Sequence, residues 1–165
     1  ELGKYWGCSL ECAMGWTIKC SSCLSPQGDN KYTEAMLSDG NFTTAWCEGS
    51  DGDGIGEWIE FHLENYPGRD AGKNSFKGIV IADGYLKSKD TWEKNSRVKQ
   101  FRMDINGKSV CYINLADSMF DQNVRFPDYY SVGPGDVIRL TITDIYPGSL
   151  YTDTCITEIV LNGAH

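Results

Sequence analysis

The chain has 165 residues and a formal net charge of −8, and its length suits one domain with a single core. The acidic balance excludes nucleic acid and anionic membranes as main partners, since both attract lysine and arginine. No apolar run reaches the roughly 20 residues of a membrane-spanning helix, so the sequence predicts no membrane span.

Seven cysteines are many for a chain of this length, and disulfides in an oxidising compartment explain them most simply. We therefore expect an exported protein that is secreted, periplasmic or on the cell surface. Four cysteines cluster near the N-terminus: Cys8, Cys12, Cys20 and Cys23. Their C-x3-C and C-x2-C spacing could also hold zinc, but no histidine lies nearby, which favours disulfides. Cys111 stands alone in an apolar strand pattern and is the candidate for a free, buried thiol.

Residues 1–31 show no sustained periodicity, and we interpret them as an irregular Cys-rich extension that packs on a main domain of residues 32–165. The first clear strand follows residue 57, where Ile59, Phe61 and Leu63 share one face. Its approach is a long polar stretch rich in glycine and aspartate. A polar loop that leads into a well-patterned strand is typical of a binding site on a rigid scaffold.

Further strands are predicted over residues 76–82, 97–105, 109–115, 123–126, 137–145 and 155–161. The dipeptide Asn106-Gly107 is a strong hairpin signal between two of them. About eight short strands joined by long polar loops, with hardly any helical period, indicate an all-β fold, an antiparallel β-sandwich. Loops at one end of such a sandwich can build a site together.

Several separated motifs resemble one group of domains. The segments DGNFTTAW (39–46), EWIEFHL (57–63) and CITEIVL (155–161) are similar to the galactose-binding-like jelly rolls, which include discoidin domains and many carbohydrate-binding modules. A closer resemblance is to the bacterial domain attached to streptococcal NAD glycohydrolase, a glycan-binding, translocation-type domain. The motifs TAWCEG, GDGIGEWIEF, IVIADGYLKS, NSRVKQFRMDING and ITDIYPGSLYTDTCITEIVL carry it, within residues 32–162. The NAD-cleaving domain has no counterpart here, so its activity is not implied.

The resemblance also implies a structural Ca²⁺ ion under the turn that begins at Asp39. Matched position by position, the ligands are Asp39, Asn41, Thr44 and Glu158. Calcium prefers hard oxygen ligands, and a tight turn exposes backbone carbonyls that can supply them. The alternative is that Asp39 only caps the turn while Glu158 pairs with a basic residue.

The same resemblance implies a disulfide between Cys47 and Cys155. Cys47 directly follows the TTAW motif, and Cys155 precedes Glu158 by three positions. If Asp39 and Glu158 meet at one ion, the two cysteines come close enough for a disulfide. The four N-terminal cysteines would then pair among themselves.

The sequence contains no serine-centred elbow, phosphate-binding loop or dinucleotide fingerprint, so we expect a non-catalytic module. Its loops carry the aromatic, carboxylate, amide and basic side chains that bind neutral sugars. The candidate ligand-binding residues are Glu48, Asp53, Glu57, Tyr85, Lys87, Trp92, Asn95, Arg97, Tyr146, Tyr151 and Asp153. Each could instead fasten a loop through hydrogen bonds.

The sequence thus predicts a carbohydrate-binding module of an exported bacterial protein, with a glycan or cell-surface glycoconjugate as its partner. An adhesion or protein-interaction domain that is stabilised by calcium and uses the same loops is the alternative. A glycan array distinguishes the two, because only the first hypothesis requires a sugar.

Overall fold

The computed structural model describes residues 9–163 and shows two antiparallel sheets packed face to face, which confirms the predicted sandwich. No helix among these residues is long and apolar enough to cross a membrane. The described strands are β1 (Gly15–Cys20), β2 (Trp46–Cys47), β3 (Trp58–Glu64), β4 (Asn74–Asp83), β5 (Arg97–Ile105), β6 (Lys108–Asn114), β7 (Gln122–Val132), β8 (Val137–Tyr146) and β9 (Cys155–Gly163). A short helix, α1 (Lys89–Lys94), and the 3₁₀ helices Leu10–Cys12 and Glu34–Ser38 complete the elements.

The five-stranded sheet has the order β1-β3-β8-β5-β6, and the four-stranded sheet has the order β2-β9-β4-β7. The predicted hairpin joins β5 to β6. Asn106 and Gly107 have φ angles of 51° and 79°, and two successive positive values are what a two-residue type I′ turn needs. Asparagine and glycine adopt such angles at low cost, so the turn sets the register of this pair.

The core lies between the two sheets and follows the alternation of their strands. In β3, the side chains of Ile59, Phe61 and Leu63 are buried, and the residues between them are more exposed. Trp46 and Phe101 are fully buried in the same cluster. Burying side chains of this size stabilises the fold by roughly 1.5–3 kcal/mol each. The loops are therefore attached to a well-packed pair of sheets.

The N-terminal region contributes a strand, and the short 3₁₀ helix before it, where the sequence indicates irregular structure. Strand β1 pairs with β3 along its whole length, from Gly15 opposite Glu64 to Cys20 opposite Ile59. Trp16 packs against the core, in agreement with the expectation that this region packs on the main domain. The strand was missed because six residues of weak alternation at a sheet edge leave little pattern in the sequence.

A disulfide joins Cys47 to Cys155, which confirms the predicted pair. The two cysteines are directly opposite each other in the antiparallel pairing of β2 with β9. Their Cα atoms lie 4.1 Å apart across a sequence separation of 108 residues. The bond therefore ties β2, in the first third of the chain, to β9, the last strand of the described residues.

Within residues 9–163, Cys12, Cys20, Cys23 and Cys111 are free thiols. The prediction that the N-terminal cysteines pair among themselves is therefore wrong for Cys12, Cys20 and Cys23, and Cys8 lies outside the described residues. Cys12 precedes β1 while Cys20 ends it, and a six-residue strand separates its ends by more than a disulfide can span. The predicted free thiol, Cys111, is half-buried.

We predict that replacing both Cys47 and Cys155 with serine lowers the free energy of unfolding by about 4–5 kcal/mol, because the bond closes a loop of about a hundred residues in the unfolded chain. Chemical denaturation measures the loss, and Cys111→Ser is the matched control, expected to change stability little. Peptide mapping without reduction must show the linked pair. Recovery of both cysteines as alkylated free thiols would contradict the prediction.

Candidate functional site

A groove of about 280 Å³ lies among the loops that surround the disulfide. Three parts of the chain form it: the segment between β1 and β2, the stretch from the end of β4 through α1, and the loop between β8 and β9. Its lining residues are Leu24, Gln27, Asn30, Tyr32, Cys47, Tyr85, Lys87, Asp90, Thr91, Lys94, Asn95, Tyr151 and Asp153.

The groove has an apolar floor. A small buried cluster that is separate from the main core consists of Tyr32, Ala45, Cys47, Tyr85 and Cys155. The rings of Tyr32 and Tyr85 meet edge to face, with centroids 6.2 Å apart. Burial raises the pKa of both tyrosines, so each remains a neutral phenol at physiological pH.

The rim carries groups of both charges. Nζ of Lys87 donates to Oδ1 of Asn30 at 3.2 Å, and Nζ of Lys94 donates to Oδ2 of Asp90 at 2.7 Å. Burial raises the pKa of Asp153. The rim therefore offers hydrogen-bond donors and acceptors but no strong field of one sign.

Tyr151 is the exposed aromatic residue of the groove, with half of its surface accessible (50%). Its backbone N–H donates to the carbonyl of Lys94 at 2.8 Å, which fixes the β8–β9 loop against the end of α1. Gly148 makes this approach possible, because a Cβ there would collide with the same Lys94 carbonyl. The ring is thus exposed while its backbone is held.

Helix α1 is held in place by its own cap and by a tryptophan. Ser88 accepts a hydrogen bond from N–H of Thr91 at 3.0 Å, as a helix N-cap does. Nε1 of Trp92 donates to the carbonyl of Asp83 at 3.0 Å. Gly84 has a φ angle of 87°, and a Cβ at this position would overlap the Trp92 ring. The side of the groove formed by α1 is therefore preorganised.

The structure brings five of the sequence-predicted ligand residues into the groove: Tyr85, Lys87, Asn95, Tyr151 and Asp153. The rest of the lining was not predicted from the sequence. Gln27 and Asn30 were assigned to the N-terminal extension, and Asp90, Thr91 and Lys94 were not singled out from their loop. Ser88 is a typical helix N-cap residue, and this signal could have placed Asp90, Thr91 and Lys94 together on a short helix.

The other six predicted ligand residues do not line the groove, and their side chains make contacts within the protein. The carboxylate of Glu48 is fully buried and accepts from N–H of Ser50 at 2.8 Å and of Thr154 at 3.2 Å. Asp53 accepts from N–H of Ile55 at 3.2 Å. The Glu57 carboxylate accepts from two serine hydroxyls of the turn after β1.

Arg97, Trp92 and Tyr146 form a second internal set. Nε of Arg97 donates to the carboxylate of Asp117 at 2.7 Å, and its guanidinium stacks on Trp92, 4.2 Å from the ring centroid. The hydroxyl of Tyr146 donates to the carbonyl of Leu115 at 2.9 Å. These three side chains fix the base of the loops rather than their tips.

The four predicted calcium ligands converge. N–H of Gly40 donates to Oε1 of Glu158 at 2.6 Å, and the hydroxyl of Thr44 donates to Oδ2 of Asp39 at 2.6 Å and to the carbonyl of Asn41 at 2.9 Å. The turn capping proposed as the alternative is also present. Within the described residues, however, Glu158 has no lysine or arginine partner in an ion pair.

Burial, followed by the hydrogen bond and the charge of Asp39, raises the pKa of Glu158 to about 7. Two carboxyl groups thus lie near each other, the buried one of Glu158 and the exposed one of Asp39, with a carbonyl and a hydroxyl beside them. This is a set of hard oxygens that fits Ca²⁺. Burial is the main cause of the raised pKa, and a cation between the two carboxylates would remove the smaller part that comes from Asp39.

The family described as NAD glycohydrolase translocation F5/8 type C domain matches residues 11–162. The chain belongs to this family. The match starts ahead of residue 32, where the sequence resemblance begins, so the N-terminal strand is part of the F5/8 type C domain. Comparison with curated proteins gives no match.

Solved structures show the same fold at low identity. The family 32 carbohydrate-binding module of C. perfringens NanJ, in complex with galactose, has a TM-score of 0.59 and 16% identity, with 88% of this chain and 92% of that chain covered. A putative chitobiase fragment from Bacteroides thetaiotaomicron has a TM-score of 0.60 and 14% identity, with 92% and 90% covered. These similarities establish the galactose-binding-like sandwich and nothing beyond the fold.

The arabinofuranosyltransferase AftD from Mycobacteria contains a region of the same fold, with a TM-score of 0.60 and 16% identity. The match covers 92% of this chain and 10% of that chain. The chain therefore spans about a tenth of that protein, and the F5/8 type C fold occurs there as one part of a much longer chain.

We predict that Glu158 makes the metal-free protein less stable as pH rises from about 4.5 to about 7. The folded state holds the Glu158 proton up to a pH near 7, whereas the unfolded chain releases it near its ordinary value of 4.5. The difference corresponds to roughly 3 kcal/mol, fully present below pH 4.5 and lost above pH 7.

Denaturation of the wild type and of Glu158→Gln, measured from pH 4 to 8 with chelator present, isolates this effect. The amide stays neutral, so the stability difference between the two proteins should vary with pH only through Glu158. A difference that is independent of pH would contradict the raised pKa.

Proposed function

We propose that this F5/8 type C domain is a non-catalytic glycan-binding module of an exported bacterial protein, and that it holds a sugar in the groove described above. The observation that carries the proposal is the exposed Tyr151 ring beside a mixed polar rim. Sugars present apolar C–H faces that stack on aromatic rings and hydroxyls that both donate and accept hydrogen bonds.

Each part of the groove has a role in such binding. The Tyr151 ring covers one face of the sugar, and the Lys87 ammonium donates to hydroxyl oxygens. Asp153 accepts from hydroxyl groups, while the amide of Asn30 does both. The fixed loop backbones support the affinity, because a preorganised site loses little conformational freedom on binding.

The volume of about 280 Å³ lies just below the range of small-molecule pockets, which is about 300–1,000 Å³. The groove therefore suits one or two sugar units at the end of a glycan. Galactose is the first probe, because the NanJ module of the same fold was solved with that sugar.

We further propose that Asp39, Asn41, Thr44 and Glu158 hold a structural Ca²⁺ ion. Its charge would neutralise the two facing carboxylates and stabilise the turn that starts at Asp39. This turn leads into β2, whose Cys47 forms part of the groove floor. The ion would therefore order the groove without touching the sugar.

We predict that Tyr151→Ala weakens binding of galactose-terminated glycans at least about tenfold, equivalent to about 1.4 kcal/mol. Its melting temperature should stay close to that of the wild type, since the ring is half exposed. Tyr129→Ala is the matched control, because Tyr129 is also exposed (61%) and does not line the groove.

A glycan array followed by calorimetry gives the affinities. If Tyr151→Ala and Tyr129→Ala lose glycan affinity equally, the groove is not the sugar-binding site. Binding to no glycan, together with capture of a protein that Tyr151→Ala releases, would favour the adhesion alternative.

We predict that Ca²⁺ at 100 times its Kd raises the free energy of unfolding by about 2.7 kcal/mol. Asp39→Ala should abolish this gain, whereas Asp136→Ala, which changes a carboxylate that pairs with Lys73, should retain it. Thermal melts with calcium and with chelator measure this gain in the wild type and in the two variants. An unchanged melting temperature after prolonged chelation and heating would exclude the site.

A further inference from the structure

A second cluster of side chains lies where β1 ends, outside the groove lining. Sγ of Cys20 and Sγ of Cys23 are 3.0 Å apart. Oε2 of Glu34 lies 3.7 Å from Sγ of Cys20 and 3.5 Å from Sγ of Cys23. Among residues 9–163, these form the one group of three metal-ligating side chains whose ligand atoms all lie within 4.8 Å of one another. We propose that Cys20, Cys23 and Glu34 bind a thiophilic divalent metal ion, with Zn²⁺ as the first candidate.

The distances suit a tetrahedral ion. With Zn–S bonds of about 2.3 Å and Zn–O bonds of about 2.1 Å, a tetrahedron separates sulfur from oxygen by roughly 3.6 Å and sulfur from sulfur by roughly 3.8 Å. The two sulfur–oxygen distances, 3.7 and 3.5 Å, match the first value. Only the sulfur–sulfur distance has to open, by about 0.8 Å, which small rotations of the cysteine side chains provide.

Glu34 favours a metal over a disulfide. Within the described residues, the Glu34 carboxylate makes hydrogen bonds only with these two thiols. A disulfide would leave this carboxylate beside two sulfurs that donate nothing, whereas a cation gives all three ligands a partner.

The turn that carries the cysteines is held rigidly. N–H of Ser21 donates to the carbonyl of Trp58, and N–H of Trp58 donates to the hydroxyl of Ser21, both at 2.9 Å. Nε1 of Trp46 donates to the carbonyl of Ser22 at 3.1 Å. Two core-facing elements thus fix the backbone between the sulfurs, so little order has to be gained on binding.

Binding releases one proton from each thiol, and the Zn²⁺ ion gains two thiolates and one carboxylate, with water as the fourth ligand. The complex carries a net charge of −1. Because two protons leave, affinity should increase with pH. The ion would join the end of β1 to the 3₁₀ helix Glu34–Ser38, which immediately precedes the Asp39 turn.

The test uses the full chain, reduced and freed of metal, with Co²⁺ as a spectroscopic probe. We expect one equivalent of Co²⁺ to produce a thiolate-to-cobalt charge-transfer band that one equivalent of Zn²⁺ removes and excess Ca²⁺ does not. Cys20→Ser and Cys23→Ser should abolish the band. Glu34→Gln should weaken Zn²⁺ binding at least about tenfold, while Cys12→Ser and Cys111→Ser serve as matched controls and should bind normally.

Alkylation of the wild type provides a measurement that needs no variant to fold. Zn²⁺ should protect Cys20 and Cys23 from alkylation and leave the reactivity of Cys12 and Cys111 unchanged. The proposal is overturned if reduced protein shows no thiolate band, if the band survives Cys20→Ser, or if peptide mapping of unreduced protein finds Cys20 bonded to Cys23. Failure of sugar or calcium binding would not affect this result.

Discussion

The antiparallel pairing of β2 with β9 is the constraint on which the loop end of the sandwich depends. Its ladder contains only two residue pairs, one of which is the disulfide Cys47–Cys155. One residue further, N–H of Glu48 donates to the carbonyl of Thr154 at 3.1 Å, and the Glu48 carboxylate accepts from N–H of Thr154 at 3.2 Å. So short a ladder would be weak by itself. The covalent bond and the buried carboxylate extend it, and the loops on both sides are fixed together.

Three buried carboxyl groups near β9 share a raised pKa but differ in their partners. Burial raises the pKa of Glu48, Asp83 and Glu158. Glu48 accepts from two backbone N–H groups, and Asp83 accepts from N–H of Val98 at 3.1 Å. Such contacts stabilise the folded loops and account for both residues. Glu158 differs because it faces another carboxyl group, Asp39, and this arrangement is the physical reason to place a cation there.

The sequence predicted the parts of the fold that depend on local pattern. The alternation at Ile59 and the Asn106-Gly107 hairpin follow from strand periodicity and turn chemistry, and the sandwich follows from both. The groove was only partly predictable, because a polar loop residue can face either solvent or a backbone group. Tyr151 and Arg97 were equivalent candidates in the sequence, yet one ring is half exposed while the guanidinium is buried against Asp117. Tertiary contacts decide which side chain is exposed and which is buried, and these contacts cannot be read from the chemistry of a single residue.

The segment between β1 and β2, residues 21–45, is common to all three proposed sites. It holds Cys23 and Glu34, the groove residues Asn30 and Tyr32, and the Asp39 turn. In the described structure its only helix is the 3₁₀ helix Glu34–Ser38, and it contains no strand. A loop of this length is uncommon in a compact domain unless it is functional. Its own backbone supplies few hydrogen bonds, so its order comes from attachments to β2, β3 and β9. The proposed metal and sugar contacts lie beside these attachments.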